Sequence, residues 1–360
     1  MLDNLEIAVE KTAPALRKEK PAQNKLGFGI HFTDHMFRMT WNRKDGWHDA
    51  KICPYQKFQL DPAAMVFHYG QAIFEGLKAY KDEEGQVFLF RPQDNLERMN
   101  NSALRMCMPR LPVDKVLKGL KALVYLDRDW IPTNKGATLY IRPTMIATEA
   151  ALGVRPAEEY SFYVIMCPVG AYYAEGFNPT KIFVTDKYVR AVKGGVGNVK
   201  TAGNYAASIM AGREAAKAGY TQVLWLDACE RRFVEEVGTS NIFFRINDQL
   251  ITPPLGGSIL AGITRDSVMQ LARSWGIEVV ERQITIDEVL AACEDKTLQE
   301  AFGTGTAAVI APVGELCYRD RKYLINNNQT GDLSARLFDE LQAIQGGRCA
   351  DPFRWVMRVG

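Results

Sequence analysis

The 360-residue sequence contains few histidines, no excess of either charge and no long apolar run. All four histidines occur at or before His68, so most of the chain lacks the imidazole that metal sites and hydrolase triads use. His31 and His35 stand four residues apart, but in a segment that reads as extended and not as one helical face. A serine or metal hydrolase is therefore disfavoured, and we expect no bound metal.

The charge balance gives no sign of a polyanionic partner. The 44 Lys and Arg residues nearly match the 42 Asp and Glu residues. Such a chain presents no positive field for nucleic acid or for an anionic membrane, so we expect neither as a partner. Any anionic ligand must be bound by groups that are placed locally.

The seven cysteines are odd in number and are never spaced as C-x-x-C. This argues against a disulfide framework or a zinc ribbon and favours a reducing cytosol. The polar segment 1–25 has no apolar signal region, and no later stretch approaches the ~20 apolar residues that span a bilayer. We therefore expect a cytoplasmic protein.

Length and patterning predict two domains of the α+β class. A chain of this length exceeds what one hydrophobic core usually supports, and segment 169–179, rich in Gly, Tyr and Ala, interrupts the regular pattern. The predicted organisation is an N-terminal arm at 1–27, a smaller α+β domain at 28–168, an interdomain linker at 169–179 and a larger α+β domain at 180–360.

Regular elements are predicted from apolar periodicity and from β-branched or aromatic runs. In the smaller domain we predict strands at 35–41, 77–80, 87–90, 138–146 and 160–168, and helices at 92–106 and 113–130. In the larger domain we predict strands at 182–185, 222–226, 241–246 and 249–251, and helices at 203–217 and 264–275. Thr285 and Glu288 form a capping box before a further helix.

One lysine, Lys200, follows the glycine-rich run Gly194–Gly197 and precedes a predicted helix. A solvated surface lysine is the common interpretation of an isolated lysine. A phosphate loop is a second interpretation, but Val199 stands where the second glycine of G-x-x-x-x-G-K-[ST] should be. A third is a Schiff-base lysine, which needs a fixed amine surrounded by small residues. Spacing alone leaves all three open.

The same stretch, GGVGNVKTAGNY, is one of several motifs that together resemble the branched-chain amino acid aminotransferases. The others are FEG at 74–76, LFRP at 89–92, YIRP at 140–143, EVGTSN at 236–241, LAGITR at 260–265 and FGTGTA at 302–307. They occur in order and with compatible spacing, and the resemblance runs from about Phe28 to Trp355. The resemblance implies a two-domain fold-type IV (D-amino-acid aminotransferase-like) enzyme that uses pyridoxal 5′-phosphate and forms a homodimer.

The resemblance implies the residues that hold the cofactor. Lys200 would carry it as a Schiff base, Glu236 would lie beside the pyridine nitrogen, Tyr205 would bond the phenolate oxygen, and Arg190 would lie nearby. An anion beside the ring nitrogen favours the protonated ring, a better electron sink. Without the resemblance, Glu235 and Glu236 would be interpreted as an exposed acidic pair.

The phosphate group requires local cations and backbone donors, for which the resemblance implies five further residues. Arginine suits bidentate phosphate contact, and the start of a helix favours an anion. These residues are Arg91, Thr239, Ile263, Thr264 and Thr306. A single threonine of this kind is otherwise most often a turn or cap residue.

Substrate contacts are implied in the same way. The resemblance assigns Phe28, Phe74, Tyr140 and Tyr172 to the side-chain pocket, and Tyr69, Thr306 and Ala307 to the α-carboxylate site. Arg142 follows Tyr140 by two residues on a predicted strand, so both side chains should share one face. We expect Arg142, helped by Tyr69, to receive the γ-carboxylate of glutamate.

The resemblance predicts transfer of the amino group between L-leucine, L-isoleucine or L-valine and 2-oxoglutarate, with amino acids and 2-oxo acids as partners. D-Amino-acid aminotransferases and aminodeoxychorismate lyases of the same fold are alternatives; the former carry an Arg-x-His pair, whereas Pro143 and Thr144 follow Arg142 here. A nucleotide-binding protein is a more distant alternative. Some relatives have a C-x-x-C pair where this chain has Ala308 and Ala311, so a thiol switch is not expected.

Overall fold

A computed structural model describes residues 7–134, 136–170 and 177–360. The chain divides into a first unit, Met1–Tyr172 with Lys200–Ala202 and Ala343–Gly360, and a second unit, Tyr173–Val199 with Gly203–Gln342. Most of the predicted linker, residues 171–176, lies outside the described residues. The boundaries of the predicted arm and domains remain predictions. Residues 343–360 and Lys200–Ala202, which were predicted to lie in the larger domain, belong to the first unit.

The first unit contains one mixed sheet. Its strands are β1 (Ala8–Val9), β2 (His35–Asn42), β3 (Gly46–Pro54), β4 (Ala72–Phe74), β5 (Leu77–Lys81), β6 (Val87–Phe90), β7 (Thr138–Ala147), β8 (Glu159–Val169) and β18 (Val356–Val359). The order is β1-β3-β2-β8-β7-β5-β6-β18, with β4 paired to β7; β1–β3 is parallel and the other pairs are antiparallel. The antiparallel pairing of β18 with β6 draws the C-terminal residues into this unit.

The helices of the first unit cover one face of this sheet with their apolar sides. They are α1 (Met65–Tyr69), α2 (Pro92–Arg105) and α3 (Val113–Leu126), with 3₁₀ turns at Pro14–Leu16 and Arg128–Trp130. Leu96, Met99, Leu120 and Leu123 are fully buried in the same cluster as Phe37 of β2. Their spacing of three residues within each helix is what places them on one side.

The second predicted helix ends four residues earlier than expected, at Leu126 instead of residue 130. Asp127 turns inward, where its carboxylate accepts hydrogen bonds from the backbone N–H and the Nδ1 of His35, at 3.0 and 2.6 Å. A buried carboxylate requires such partners, so the chain leaves the α-helical path at this residue. His35 is thus a core histidine.

The second unit contains a sheet in which six strands close into a ring. Its strands are β9 (Thr180–Thr185), β10 (Gln222–Leu226), β11 (Val234–Val237), β12 (Ser240–Ile246), β13 (Gln249–Thr252), β14 (Val279–Glu281), β15 (Leu298–Gly305), β16 (Val309–Tyr318) and β17 (Arg321–Leu324). The pairings β11-β10-β9-β16-β15-β12-β11 close on themselves. A closed ring leaves no free edge among these six strands.

The helices of the second unit are α4 (Ala202–Lys217), α5 (Ile263–Ser274), α6 (Ile286–Glu294) and α7 (Asp332–Gln345), with a 3₁₀ turn at Asn326–Asn328. The capping box is confirmed at its first bond, because the Thr285 hydroxyl accepts from the Glu288 backbone N–H at 3.1 Å. No helix in the described ranges is both long and apolar enough to cross a bilayer.

The predicted elements are confirmed within a few residues, and the α+β class with them. The prediction did not include several others, above all β3, β15 and β16. All ten residues of β16 are buried, so its sequence does not alternate, and Pro312 and Gly314 interrupt it with residues that disfavour strands.

A buried ion pair joins α2 to the strand region of the first unit. Arg98 donates from Nε and Nη2 to the two carboxylate oxygens of Glu75, both at 2.8 Å, and Glu75 is fully buried. Glu75 follows Phe74 directly. The pair therefore fixes the orientation of this short segment against α2.

We predict that Arg98→Met destabilises the protein by about 3–5 kcal/mol, because the Glu75 carboxylate would remain buried without its partner. Replacing both residues together, as Arg98→Met with Glu75→Leu, should recover much of this loss. Arg43→Met is the control, since Arg43 and Glu158 form an exposed pair that should contribute under about 1 kcal/mol. Urea unfolding measures the differences; equal losses for Arg98→Met and Arg43→Met would contradict the prediction.

Candidate active site

The backbone of Lys200 is fixed against β4 in the first unit. Its carbonyl accepts from the Phe74 N–H at 3.0 Å, and its N–H donates to the Ser102 hydroxyl at 3.1 Å. The next residue, Thr201, forms a bridge to Ile73 and donates its hydroxyl to the Ala72 carbonyl at 2.8 Å. The main chain at Lys200 is therefore held on both sides.

The side chain of Lys200 lies beside an aromatic wall. Its Nζ is 5.1 Å from the centre of the Phe74 ring, and the guanidinium carbon of Arg142 is 4.6 Å from the centre of that ring. The Phe28 and Tyr140 rings pack with centroids 5.1 Å apart. Lys200 is half-buried, and its ammonium group lies beside an aromatic ring.

Arg142 and Tyr140 share one face of β7, as predicted. Arg142 donates from Nη2 to the Tyr140 hydroxyl at 3.0 Å. A side chain at Gly76 would overlap that hydroxyl, so only glycine allows the ring to lie here. The geometry combines an apolar surface with a guanidinium group.

A residue that the sequence analysis missed, Lys78, pairs with Tyr140 across β5 and β7. It is buried, and this burial lowers its pKa to about 8. The alternation of LKAY would have assigned Lys78 and Tyr80 to the face opposite Leu77 and Ala79, but it would not have predicted that Lys78 is buried. A titratable amine therefore lies on the same strand pair as the predicted pocket residues.

Three other predicted site residues, Arg91, Tyr69 and Tyr172, are not among the contacts around Lys200 and Arg142 described above. Arg91 begins α2 in a left-handed conformation, pairs with Asp94 at 2.5 Å and is mostly buried. Tyr69 is 37% exposed at the end of α1, and its hydroxyl donates to the Leu152 carbonyl. Tyr172 lies outside the described residues. The predicted roles of all three remain predictions.

In the second unit, Glu236 of β11 is buried and has several partners. One carboxylate oxygen accepts from the Leu260 N–H at 2.9 Å and from Asn241 Nδ2 at 3.3 Å, and the other lies 3.1 Å from Arg190 Nε. Glu235 is buried as well. The interpretation as an exposed acidic pair is therefore wrong.

Glu236 lies in the wall of a pocket in the second unit. The pocket is lined by Arg190, Gly197, Val199, Asn204, Tyr205, Ser208, Glu236, Gly238, Thr239 and Leu260. Asn204 holds the glycine-rich turn by donating to the carbonyls of Val196 and Val199, at 2.8 and 3.0 Å. Val199, which directly precedes Lys200 in the chain, thus lines the same pocket as four predicted cofactor residues: Arg190, Tyr205, Glu236 and Thr239.

The remaining predicted residues of the second unit lie at the start of α5 and in the turn between β15 and β16. Ile263 and Thr264 begin α5, where Gly262 is the N-cap and supplies no side-chain acceptor to the first N–H groups. Thr306 and Ala307 form the half-buried turn between β15 and β16. These residues do not line the pocket around Glu236. Their predicted contacts with phosphate and carboxylate remain predictions.

Comparison with known proteins gives consistent matches. The family model described as amino-transferase class IV matches residues 72–316. The chain is 54% identical to "Branched-chain-amino-acid aminotransferase 2" of Bacillus subtilis (strain 168), over 98% of this chain and 97% of the relative.

Two solved structures share the fold. One is a branched-chain aminotransferase of Thermoproteus uzoniensis with norvaline, with a TM-score of 0.75 and 26% identity over 90% of this chain and all of the other. The second is the branched-chain amino acid aminotransferase of Escherichia coli. Its TM-score is 0.74 at 26% identity, covering 89% of this chain and 99% of the other. The fold-type prediction is confirmed.

The buried position of Lys78 makes stability depend on pH. Its folded-state pKa of about 8 lies below the ordinary value of 10.5, so between these values the unfolded chain binds more protons and stability rises with pH. The unfolding free energy of the wild type should increase relative to Lys78→Met by roughly 3 kcal/mol from pH 8 to pH 10.5. Lys81→Met, half-buried on the same strand, is the control. The prediction would be refuted if the difference in unfolding free energy between the wild type and Lys78→Met stayed constant from pH 8 to pH 10.5.

Proposed function

Because this chain belongs to the class IV aminotransferase family, we propose that it is a branched-chain amino acid aminotransferase that uses pyridoxal 5′-phosphate. It exchanges the amino group between L-leucine, L-isoleucine or L-valine and 2-oxoglutarate. The identity of 54% over nearly the whole length of a relative with that name supports this reaction. Its partners are amino acids and 2-oxo acids; we also propose a cytoplasmic homodimer, from the resemblance of the motifs.

The position of Lys200 beside the Phe74 ring, which also packs against Arg142, is the observation that carries the proposal. A transaminase needs an amine at the reacting atoms, an apolar surface for an aliphatic side chain and a cation for the second carboxylate of glutamate. The first unit supplies all three groups: the amine of Lys200, the Phe74 ring of β4 and the guanidinium of Arg142 on β7.

The residues of the second unit fit the cofactor. Glu236 is a buried carboxylate held by Leu260, Asn241 and Arg190, which suits a partner for a protonated ring nitrogen. Tyr205 lines the same pocket, where its hydroxyl would contact the phenolate oxygen. Thr239, Ile263, Thr264 and Thr306 would bind the phosphate, and the resemblance adds Arg91 of the first unit to them.

When bound, pyridoxal phosphate supplies an aldehyde for the amino group and an electron-withdrawing ring that stabilises negative charge at the substrate α-carbon. Lys200 Nζ would hold the cofactor and would accept the proton that leaves the substrate α-carbon. The fixed backbone of Lys200 would keep that nitrogen within reach. The Glu236 carboxylate would favour the protonated form of the ring nitrogen.

The same pocket has to accept both an alkyl group and a carboxylate. Phe28, Phe74 and Tyr140 offer an apolar surface to leucine, and burying a carboxylate there without a partner would cost several kcal/mol. Arg142 receives the γ-carboxylate of glutamate, helped by Tyr69. Thr306 and Ala307 would contact the α-carboxylate, and the assignment of Tyr172 to the side-chain pocket stays a prediction from the resemblance.

Loss of Lys200 tests the proposed function. Lys200→Ala should abolish the borohydride-reducible link to the cofactor and stop formation of glutamate from L-leucine and 2-oxoglutarate. Lys193→Ala, at an exposed lysine of the same loop, should retain both. If the unmodified enzyme used D-leucine instead of L-leucine, the D-amino-acid alternative would be favoured. Full activity of Lys200→Ala would refute the assignment of Lys200.

Arg142→Leu tests the dual recognition. Losing one member of a desolvated charge pair typically costs ~2–5 kcal/mol, whereas an alkyl substrate loses little. We therefore expect kcat/KM to fall far more for L-glutamate than for L-leucine, with Arg142→Lys intermediate because it keeps the charge but loses the planar fork. The two half-reactions are followed separately by the absorbance of the bound cofactor. Equal losses for both substrates would make Arg142 a structural residue or an α-carboxylate ligand.

A further inference from the structure

Glu235, the residue before Glu236, occupies a β-bulge. Trp225 of β10 pairs with Glu236, but the next residue, Leu226, pairs with Val234, so Glu235 is the extra residue of β11. A bulge interrupts the alternation of side chains along a strand and re-aims the extra one. Two successive carboxylates can therefore act on neighbouring groups, although only Glu236 lines the pocket.

The carboxylate of Glu235 holds a loop residue, Ser258, between β13 and α5. The buried Ser258 hydroxyl donates to one oxygen of Glu235, and the Ser258 carbonyl accepts from Arg190 Nη2. The Nε of the same guanidinium group lies 3.1 Å from Glu236. A continuous chain of contacts thus runs from Glu235 through Ser258 and Arg190 to Glu236.

The Ser258 carbonyl also limits the glycine-rich turn. A side chain at Gly197 would overlap this carbonyl, so glycine is required for the close approach. Arg190 Nη2 lies 3.4 Å from the Gly197 carbonyl. The position of Ser258 therefore constrains both Arg190 and the turn that ends three residues before Lys200.

The burial of Glu235 is poorly explained by stability alone. Its second carboxylate oxygen has no hydrogen-bond partner among the residues that the structure describes. Burial raises the pKa of this carboxyl, while the Ser258 hydrogen bond and the charge of Arg190 act in the opposite direction. An incompletely bonded buried carboxyl is costly, so a well-packed apolar residue would be the simpler choice for a core position.

We propose that Glu235 is a positioning residue of the cofactor pocket: by fixing Ser258, it holds Arg190 in place to pair with Glu236. This inference rests on the proposed function, because it assumes that Glu236 serves pyridoxal phosphate. Glu235 itself does not touch the pocket. Glu235 acts by holding the Arg190 guanidinium in position. The position of Arg190 then sets the charge and orientation of the Glu236 carboxylate.

The test measures the dissociation constant of pyridoxal phosphate by titrating the stripped full-length protein. Glu235→Ala and Ser258→Ala should each raise this constant by about 5- to 30-fold, the effect of one buried hydrogen bond. Ser258→Ala retains the carbonyl that Arg190 contacts, so it removes only the link to Glu235. Glu235→Gln keeps an oxygen acceptor for Ser258 and should bind close to the wild-type value.

A matched control separates positioning from stability. Ser334 donates to the buried carboxylate of Glu300 at 2.7 Å in the same unit, away from the pocket. Ser334→Ala should lower the melting temperature of the cofactor-free protein but leave the dissociation constant unchanged. If Glu235→Ala does not fold, Ser258→Ala and Glu235→Gln decide the question. Equal losses of affinity in Ser334→Ala and Ser258→Ala would overturn the proposal.

A double-mutant cycle tests whether Glu235 acts through Arg190. In an Arg190→Ala background, Ser258→Ala should cause no further loss of affinity, because the group that it positions is absent. Additive losses would overturn the proposal, as would a wild-type dissociation constant in a folded Ser258→Ala single variant. If the wild-type protein binds no pyridoxal phosphate, the proposed function fails as well. If the wild type binds it but the variants behave in one of these ways, only the positioning role of Glu235 fails.

Discussion

The buried carboxylate of Glu236 is the constraint on which much of the second unit depends. A charge out of water needs partners, and those of Glu236 come from three distant segments: Arg190 before the glycine-rich turn, Asn241 on β12 and Leu260 before α5. Asn241 also bonds the Leu260 carbonyl at 2.9 Å. Satisfying one carboxylate thus brings together the segments that form the pocket.

In the first unit, Phe74 contacts both the backbone and the side chain of Lys200. Its N–H donates to the Lys200 carbonyl, and its ring centre lies 5.1 Å from the Lys200 Nζ. The next residue, Glu75, is held by Arg98 at both oxygens. The residue next to Phe74 is therefore anchored to α2 by a buried ion pair.

Local signals were sufficient for five of the seven α-helices in the described residues but for only nine of the eighteen strands. The predicted strands and helices depend on periodicity and caps within a few residues, and the Thr285 cap or the Tyr140 and Arg142 pairing needs no information from elsewhere. The glycine-rich neighbours of Lys200 drew attention to this lysine but did not decide its role. The cofactor and substrate roles came from the family resemblance, because residue type and spacing left a surface lysine and a phosphate loop as open alternatives.

The environment of a charged group depends on partners that are remote in the sequence, and here residue patterns were least informative. Glu235 and Glu236 read as a solvated pair until the bulge in β11 and the loop at Ser258 are known. Lys78 reads as an ordinary polar residue of an alternating strand, yet it is buried beside Tyr140. A glutamate or a lysine specifies the charge that a position carries. Only the fold determines how deeply that charge is buried and which group of opposite charge or which hydrogen-bond partner compensates it. The burial and the partner decide whether the residue contributes to solubility or to chemistry.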